Sequence, residues 1–119
     1  VRVLGSRAIL FHCVSEYPTP LAHVNLCRIP WVRERFGVRV GYSDHTGGVS
    51  APAAAMAVGA EMVEIHVADR DGPRFAAWDR SVEGLSRLTS FRDELDQMTT
   101  LRPMGNPEAN RPFVGRWTA

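Results

Sequence analysis

Two rhythms of apolar and polar positions alternate along this chain. Short runs rich in strand formers lie at residues 8–14 ("AILFHCV"), 38–40 ("VRV") and 62–67 ("MVEIHV"). Between the first two, Val24, Ile29, Val32 and Phe36 mark one or two short helices over residues 24–36, where Pro30 can only begin a turn and Gly37 is the stop. Residues 51–58 ("APAAAMAV") follow Ser50, a plausible N-cap, and end at Gly59. Leu85, Leu88, Phe91, Leu95 and Met98 recur at three- and four-residue spacing, which predicts an amphipathic helix over 82–98. From Pro103 onward there are further prolines at 107 and 112 and no periodicity. The organisation expected is one α/β unit over residues 1–100 and an irregular tail over 101–119.

The element order is β-α-β-α-β-α with short connections, which means parallel strands covered by helices. Parallel strands this apolar call for burial on both faces. Closing a (β/α)8 barrel takes about 250 residues, so a chain of 119 is either a small open sheet or a piece of something larger.

Composition narrows the function. A net charge of +1 gives no electrostatic case for nucleic acid or an anionic membrane surface. All 14 basic residues are arginine, so Schiff-base and other lysine chemistry is excluded from this stretch. Cys13 and Cys27 have no regular spacing and read as free thiols of a reduced protein rather than a disulfide scaffold. No apolar stretch reaches the ~20 residues needed to span a bilayer, and the N-terminal residues lack the ordered regions of a signal peptide. A cytoplasmic location is the expectation.

The chemistry gathers at strand ends. Alternation along a strand puts Ser43 and His45 on one face, Glu64 and His66 on one face of the next, and Cys13, Ser15 and Tyr17 on one face of the first. In parallel α/β sheets, ligands bind at the carboxyl ends of the strands. Two neutral imidazoles from adjacent strands could hold a divalent metal and leave positions for water and substrate. Gly47 and Gly48 would let backbone N–H groups approach an anion. Each residue also has a plainer role. A strand-end histidine can be a hydrogen-bonded structural residue, Tyr17 a packing residue before Pro18, and Asp44 a cap for the following helix. His12 has the opposite strand parity and His23 lies in a polar connection, so neither joins the candidate pair. Spacing alone leaves an α/β protein with a two-histidine metal site as one reading.

Three blocks carry a more specific signal. "LFHCVSEYPTP", "VNLCRIPWVRERFGVRVGYSDHTGG" and "AVGAEMVEIHVADRDGP" resemble consecutive blocks of the sialic acid synthase family, which includes N-acetylneuraminate synthases and their legionaminic and pseudaminic relatives. The resemblance covers residues 8 to 73, with a looser match through 82–98. It implies a (β/α)8 TIM barrel of which this chain supplies the last three β/α units. It implies an activity too: phosphoenolpyruvate is condensed with an N-acetylmannosamine-type sugar, phosphate is released, and manganese or magnesium assists.

The family's metal-binding histidines fall on His45 and His66, whose separation of 21 positions (66 − 45) matches the family's. Its strand-end serine falls on Ser43 and its tyrosine on Tyr17, while Ser15 stands where many members have asparagine. These positions help hold phosphoenolpyruvate. Glu64 is the expected catalytic carboxylate, orienting His66 or a metal-bound water. The family's Gly-Pro-Asp-His-x-Ala-Ser block reads "GPRFAAWDRS" here. One anchoring puts Arg74 at the sugar-binding aspartate; the other makes Asp79 the nearest acid. The family's lysines lie on earlier strands, and its C-terminal antifreeze-like domain has no counterpart in these residues. The resemblance therefore implies part of an enzyme, inactive by itself, that works as a homodimer or with the rest of the barrel. The alternative is a non-catalytic remnant or interaction module of that barrel.

Overall fold

The computed structural model describes residues 8–69 and 76–100. Three parallel strands, β1 (Ile9–Cys13), β2 (Arg39–Asp44) and β3 (Met62–Ile65), pair in that order. Helices α1 (Arg28–Phe36), α2 (Ser50–Ala57) and α3 (Val82–Thr99) follow them in turn. The expected β-α-β-α-β-α order is present. The tail over 101–119 and Arg74 lie outside the described residues.

Local chemistry explains the boundaries. Pro30 is the third residue of α1, where its missing N–H has no helical partner to lose. Gly37 ends that helix in the left-handed region at φ 61°, with its N–H on the Arg33 carbonyl at 2.9 Å. A 3-10 turn, Leu21–His23, precedes α1, and Val24 lies between the two, so the helix begins at Arg28, later than the periodicity from Val24 predicts. Ser50 is not the cap of α2. It is the first helical residue, Val49 occupies the cap, and no side chain caps that end. Ser81 does cap α3, accepting from the Gly84 N–H at 3.3 Å.

The largest departure is in β2. The strand runs on past Val40 through Gly41, Tyr42, Ser43 and Asp44, of which only Tyr42 is a strong strand former. It is held in the middle of the sheet by ladders on both sides. Gly41 lies opposite Phe11, and a Cβ there would come 2.7 Å from the phenyl ring, so any larger residue would have to displace that ring.

The two faces of the sheet differ. One packs against α1 and α2, where Val24, Ile29, Val38, Val40, Tyr42, Ala51 and Ala55 form the core. The other carries rows set by the register: Phe11, Gly41 and Met62, then Cys13, Ser43 and Glu64. Phe11 (37% exposed) and Met62 (46%) lie on that uncovered face. Burial on both faces, expected from the apolar strands, is met here on one. Among the described residues, no helix is long and apolar enough to cross a membrane.

Candidate functional site

Beyond the Cys13–Ser43–Glu64 row, at the carboxyl ends of β2 and β3, His45 and His66 meet edge to face with ring centroids 5.2 Å apart. Strand parity placed both on one face, and the structure brings them together. The Tyr17 ring lies over His45 at 4.1 Å and meets His66 at 6.2 Å. The Tyr17–Pro18 peptide bond is cis. The loop after it is tied to the site, because the Thr19 N–H donates to the His45 carbonyl at 2.9 Å and the Thr19 hydroxyl to the Glu16 carbonyl at 2.6 Å.

The hydrogen bonds of His45 fix its chemistry. The Nδ1 atom lies 2.9 Å from the Val14 carbonyl oxygen, which can only accept. Nδ1 therefore carries a proton, which in the neutral imidazole leaves the Nε2 lone pair for a ligand. His45 is 4% exposed, so the ring is held by its surroundings before any ligand arrives. His66 is more open. Its Nδ1 lies 3.9 Å from Asp79 Oδ1, beyond direct hydrogen bonding but within ion-pair range. Glu64 accepts from the Ser43 hydroxyl at 3.0 Å. Among the described residues no group of three or more His, Cys, Asp or Glu side chains is arranged to hold a metal ion, and of these residues the pair would supply two ligands.

Of the residues picked out in sequence, Tyr17, Ser43, His45, Glu64, His66 and Asp79 gather at this rim. Ser15 is exposed on the connection after β1, outside the ring cluster. Gly47 does not serve as an open anion cradle. It has φ 80°, and a Cβ there would run into the Ala77 carbonyl oxygen, so its bareness admits the loop before α3. The free-thiol expectation holds, since Cys13 and Cys27 are unbridged and exposed. His12 donates from Nε2 to the Val24 carbonyl at 2.7 Å, a structural contact.

Asp44 does not cap α2. It is fully buried, accepts from the Tyr42 hydroxyl at 2.8 Å and from the Thr46 N–H and hydroxyl at 3.3 and 3.2 Å, and forms an ion pair with Arg80. Burial, reinforced by the Asp44 carboxylate, pushes the Tyr42 phenol far above its ordinary value. Burial also lowers the Arg80 guanidinium, against the pull of Asp44. Sequence reasoning missed Arg80 and Trp78. Trp78 meets the Tyr17 ring edge-on at 5.6 Å, and no spacing rule singles out either residue.

Fold and rim define a class: parallel α/β proteins whose strand ends gather a histidine pair under an aromatic ring. The NeuB family model matches residues 2–100, and the chain belongs to the NeuB family. The N,N'-diacetyllegionaminic acid synthase of Legionella pneumophila is 34% identical over 91 residues, 76% of this chain and 23% of that protein. The N-acetylneuraminate-9-phosphate synthase of Drosophila melanogaster is 47% identical over 93 residues, again 76% of this chain and 23% of that one. Among solved structures, the N-acetylneuraminic acid synthetase of Leptospira borgpetersenii, crystallised with citrate, superposes with a TM-score of 0.70 at 31% identity, covering 82% of this chain and 36% of that one. The chain spans 17 to 23% of the length of the curated relatives it matches.

Proposed function

We propose that this chain is the portion of a nonulosonic acid synthase barrel comprising the last three β/α units, and that it carries that enzyme's metal-holding rim. The meeting of His45 and His66 at the strand ends, in a family whose members include legionaminic, pseudaminic and N-acetylneuraminate-9-phosphate synthases, carries this reading. The reaction joins the methylene carbon of phosphoenolpyruvate to the aldehyde carbon of an N-acetylated amino sugar. Water adds at the phosphate-bearing carbon, and inorganic phosphate leaves from it to give the 2-keto acid.

His45 through its free Nε2 and His66 would hold the manganese or magnesium ion. When bound, such an ion supplies Lewis acidity at the sugar aldehyde. The remaining roles belong to this chain's side chains. Tyr17 and Ser43 hold the phosphoenolpyruvate end, with Ser15 at the outer margin, so that the methylene carbon faces the sugar. Glu64, oriented by the Ser43 hydroxyl, is placed to take a proton from water at the row below the histidines. Asp79, beside His66, faces the sugar hydroxyls or steadies the imidazole. The anion-binding groups that meet phosphate and carboxylate would come from strands outside this chain, so this chain alone has no turnover. The uncovered face fits association with the rest of a barrel in a cytoplasmic, homodimeric enzyme. A non-catalytic remnant remains the second reading, favoured by "GPRFAAWD" in place of the family's block.

A chimera tests the proposal. Residues 1–100 replace the matching segment of the Leptospira borgpetersenii synthetase, and phosphate release from phosphoenolpyruvate is followed with N-acetylmannosamine and manganese. Turnover that disappears with His45→Ala supports a catalytic portion. A folded chimera without turnover supports the remnant.

A further inference from the structure

We propose that Arg80 is a positioning residue whose buried ion pair with Asp44 sets the loop bearing Trp78 and Asp79 against the histidine pair. The inference rests on the reading of that rim as the functional site.

Arg80 joins three stretches of chain. Its backbone N–H donates to the His66 carbonyl at 2.8 Å, and its carbonyl accepts from the Ala68 N–H at 3.0 Å, forming a parallel bridge opposite Val67. Its side chain crosses to β2, where one terminal nitrogen pairs with Asp44 Oδ2. The other terminal nitrogen donates to the Trp78 carbonyl at 2.8 Å. Asp44 is 0% and Arg80 3% exposed, so the pair is screened by protein rather than by water. Arg80 thus ties into one frame the end of β2 and the backbone of Trp78, through its guanidinium, and the residues after β3, through its own backbone.

The rim contacts follow from that frame. Asp79, next to Arg80, sits 3.9 Å from His66 through Oδ1, while Oδ2 accepts from the Ala76 N–H at 2.8 Å. Trp78 meets Tyr17, the ring that lies over His45. Residues 76–80 belong to no helix or named strand. The backbone bridge of Arg80, the turn between Ala76 and Asp79 and the close approach at Gly47 seat their backbone, and the pair with Asp44 ties them to the end of β2. A buried Arg–Asp pair is a poor source of net stability but a geometric constraint, because a planar guanidinium whose two terminal nitrogens bond to Asp44 and to the Trp78 carbonyl accepts only a narrow set of orientations.

The test uses the full chain carrying Trp31→Phe and Trp117→Phe, so that Trp78 is the only indole. In this background the Asp44→Asn, Arg80→Met double variant removes both charges and leaves neither buried ion unpaired. Far-UV circular dichroism and amide exchange of the strands report the fold. Acrylamide quenching of Trp78 and nuclear Overhauser contacts between the Trp78 and Tyr17 rings report the loop.

The proposal expects an intact fold, a severalfold rise in Trp78 quenching and loss of the ring contacts. It also expects guanidinium ion to restore those contacts in the Arg80→Ala single variant. Unchanged quenching and ring contacts in a folded double variant would overturn it, because the loop would then be placed without the pair. Loss of the fold in the double variant would overturn it too, since the pair would then be a folding element. None of these readouts needs metal, substrate or turnover. Failure of manganese to bind would count against the proposed function and leave this test standing.

Discussion

The Ser43 hydroxyl donates to Glu64 Oε1 at 3.0 Å, straight across the β2–β3 ladder, and the histidine pair lies beyond that row at the rim. The contact orients a carboxylate that water also reaches, so its contribution to stability is small. Ser43→Ala should change unfolding free energy by less than about 1 kcal/mol, because solvent replaces the hydroxyl at an exposed acceptor. Urea unfolding measures this. A loss of more than about 2 kcal/mol would make the pair part of the structural core instead.

Gly47 is where β2's connection admits the loop before α3. Gly47→Ala sets a Cβ against the Ala77 carbonyl and strains a backbone at φ 80°. The chain should lose about 1–3 kcal/mol from the backbone strain alone, with more from the overlap. Thermal unfolding checks the loss. Gly48→Ala, whose Cβ would meet nothing closer than the Ser50 hydroxyl at 3.8 Å, should be nearly silent.

Tyr42 makes stability fall at alkaline pH. Its folded phenol titrates far above the ordinary value of 10.0, because burial and the Asp44 carboxylate both disfavour phenolate. The folded state therefore keeps a proton that the unfolded chain releases above about pH 10. The tyrosine's contribution is fully present below that value and is lost as pH rises beyond it. Tyr42→Phe should flatten this alkaline loss in unfolding followed from pH 8 to 11, while costing about 1 kcal/mol at neutral pH for the missing hydrogen bond to Asp44.

Ile29 is fully buried between α1 and the sheet. Ile29→Ala should cost about 2–5 kcal/mol, a large share of the stability of so small a core. A shift in the urea midpoint without a change in slope would show that the loss comes from packing alone.

Much of this architecture was legible in the pattern of residues. Period-two and period-three-to-four segments fixed the element order, and strand parity put Ser43 with His45 and Glu64 with His66. The end of β2 was not legible, because Gly41, Ser43 and Asp44 have weak strand preference and the segment is held by neighbours on both sides. Asp44 looked like a helix cap because local side-chain bonding is the usual role of aspartate near a turn. Its real partner, Arg80, lies 36 positions away. Trp78 and Arg80 reach the site through tertiary contacts that no local spacing encodes.

The histidine pair as a metal site is tested most directly by manganese titration in a calorimeter, with the wild-type chain and a His45→Ala, His66→Ala double variant compared at matched fold. The prediction is saturable binding near about one equivalent per chain, abolished in the variant. A folded wild-type chain that takes up no manganese, or a variant that binds as well, would contradict it.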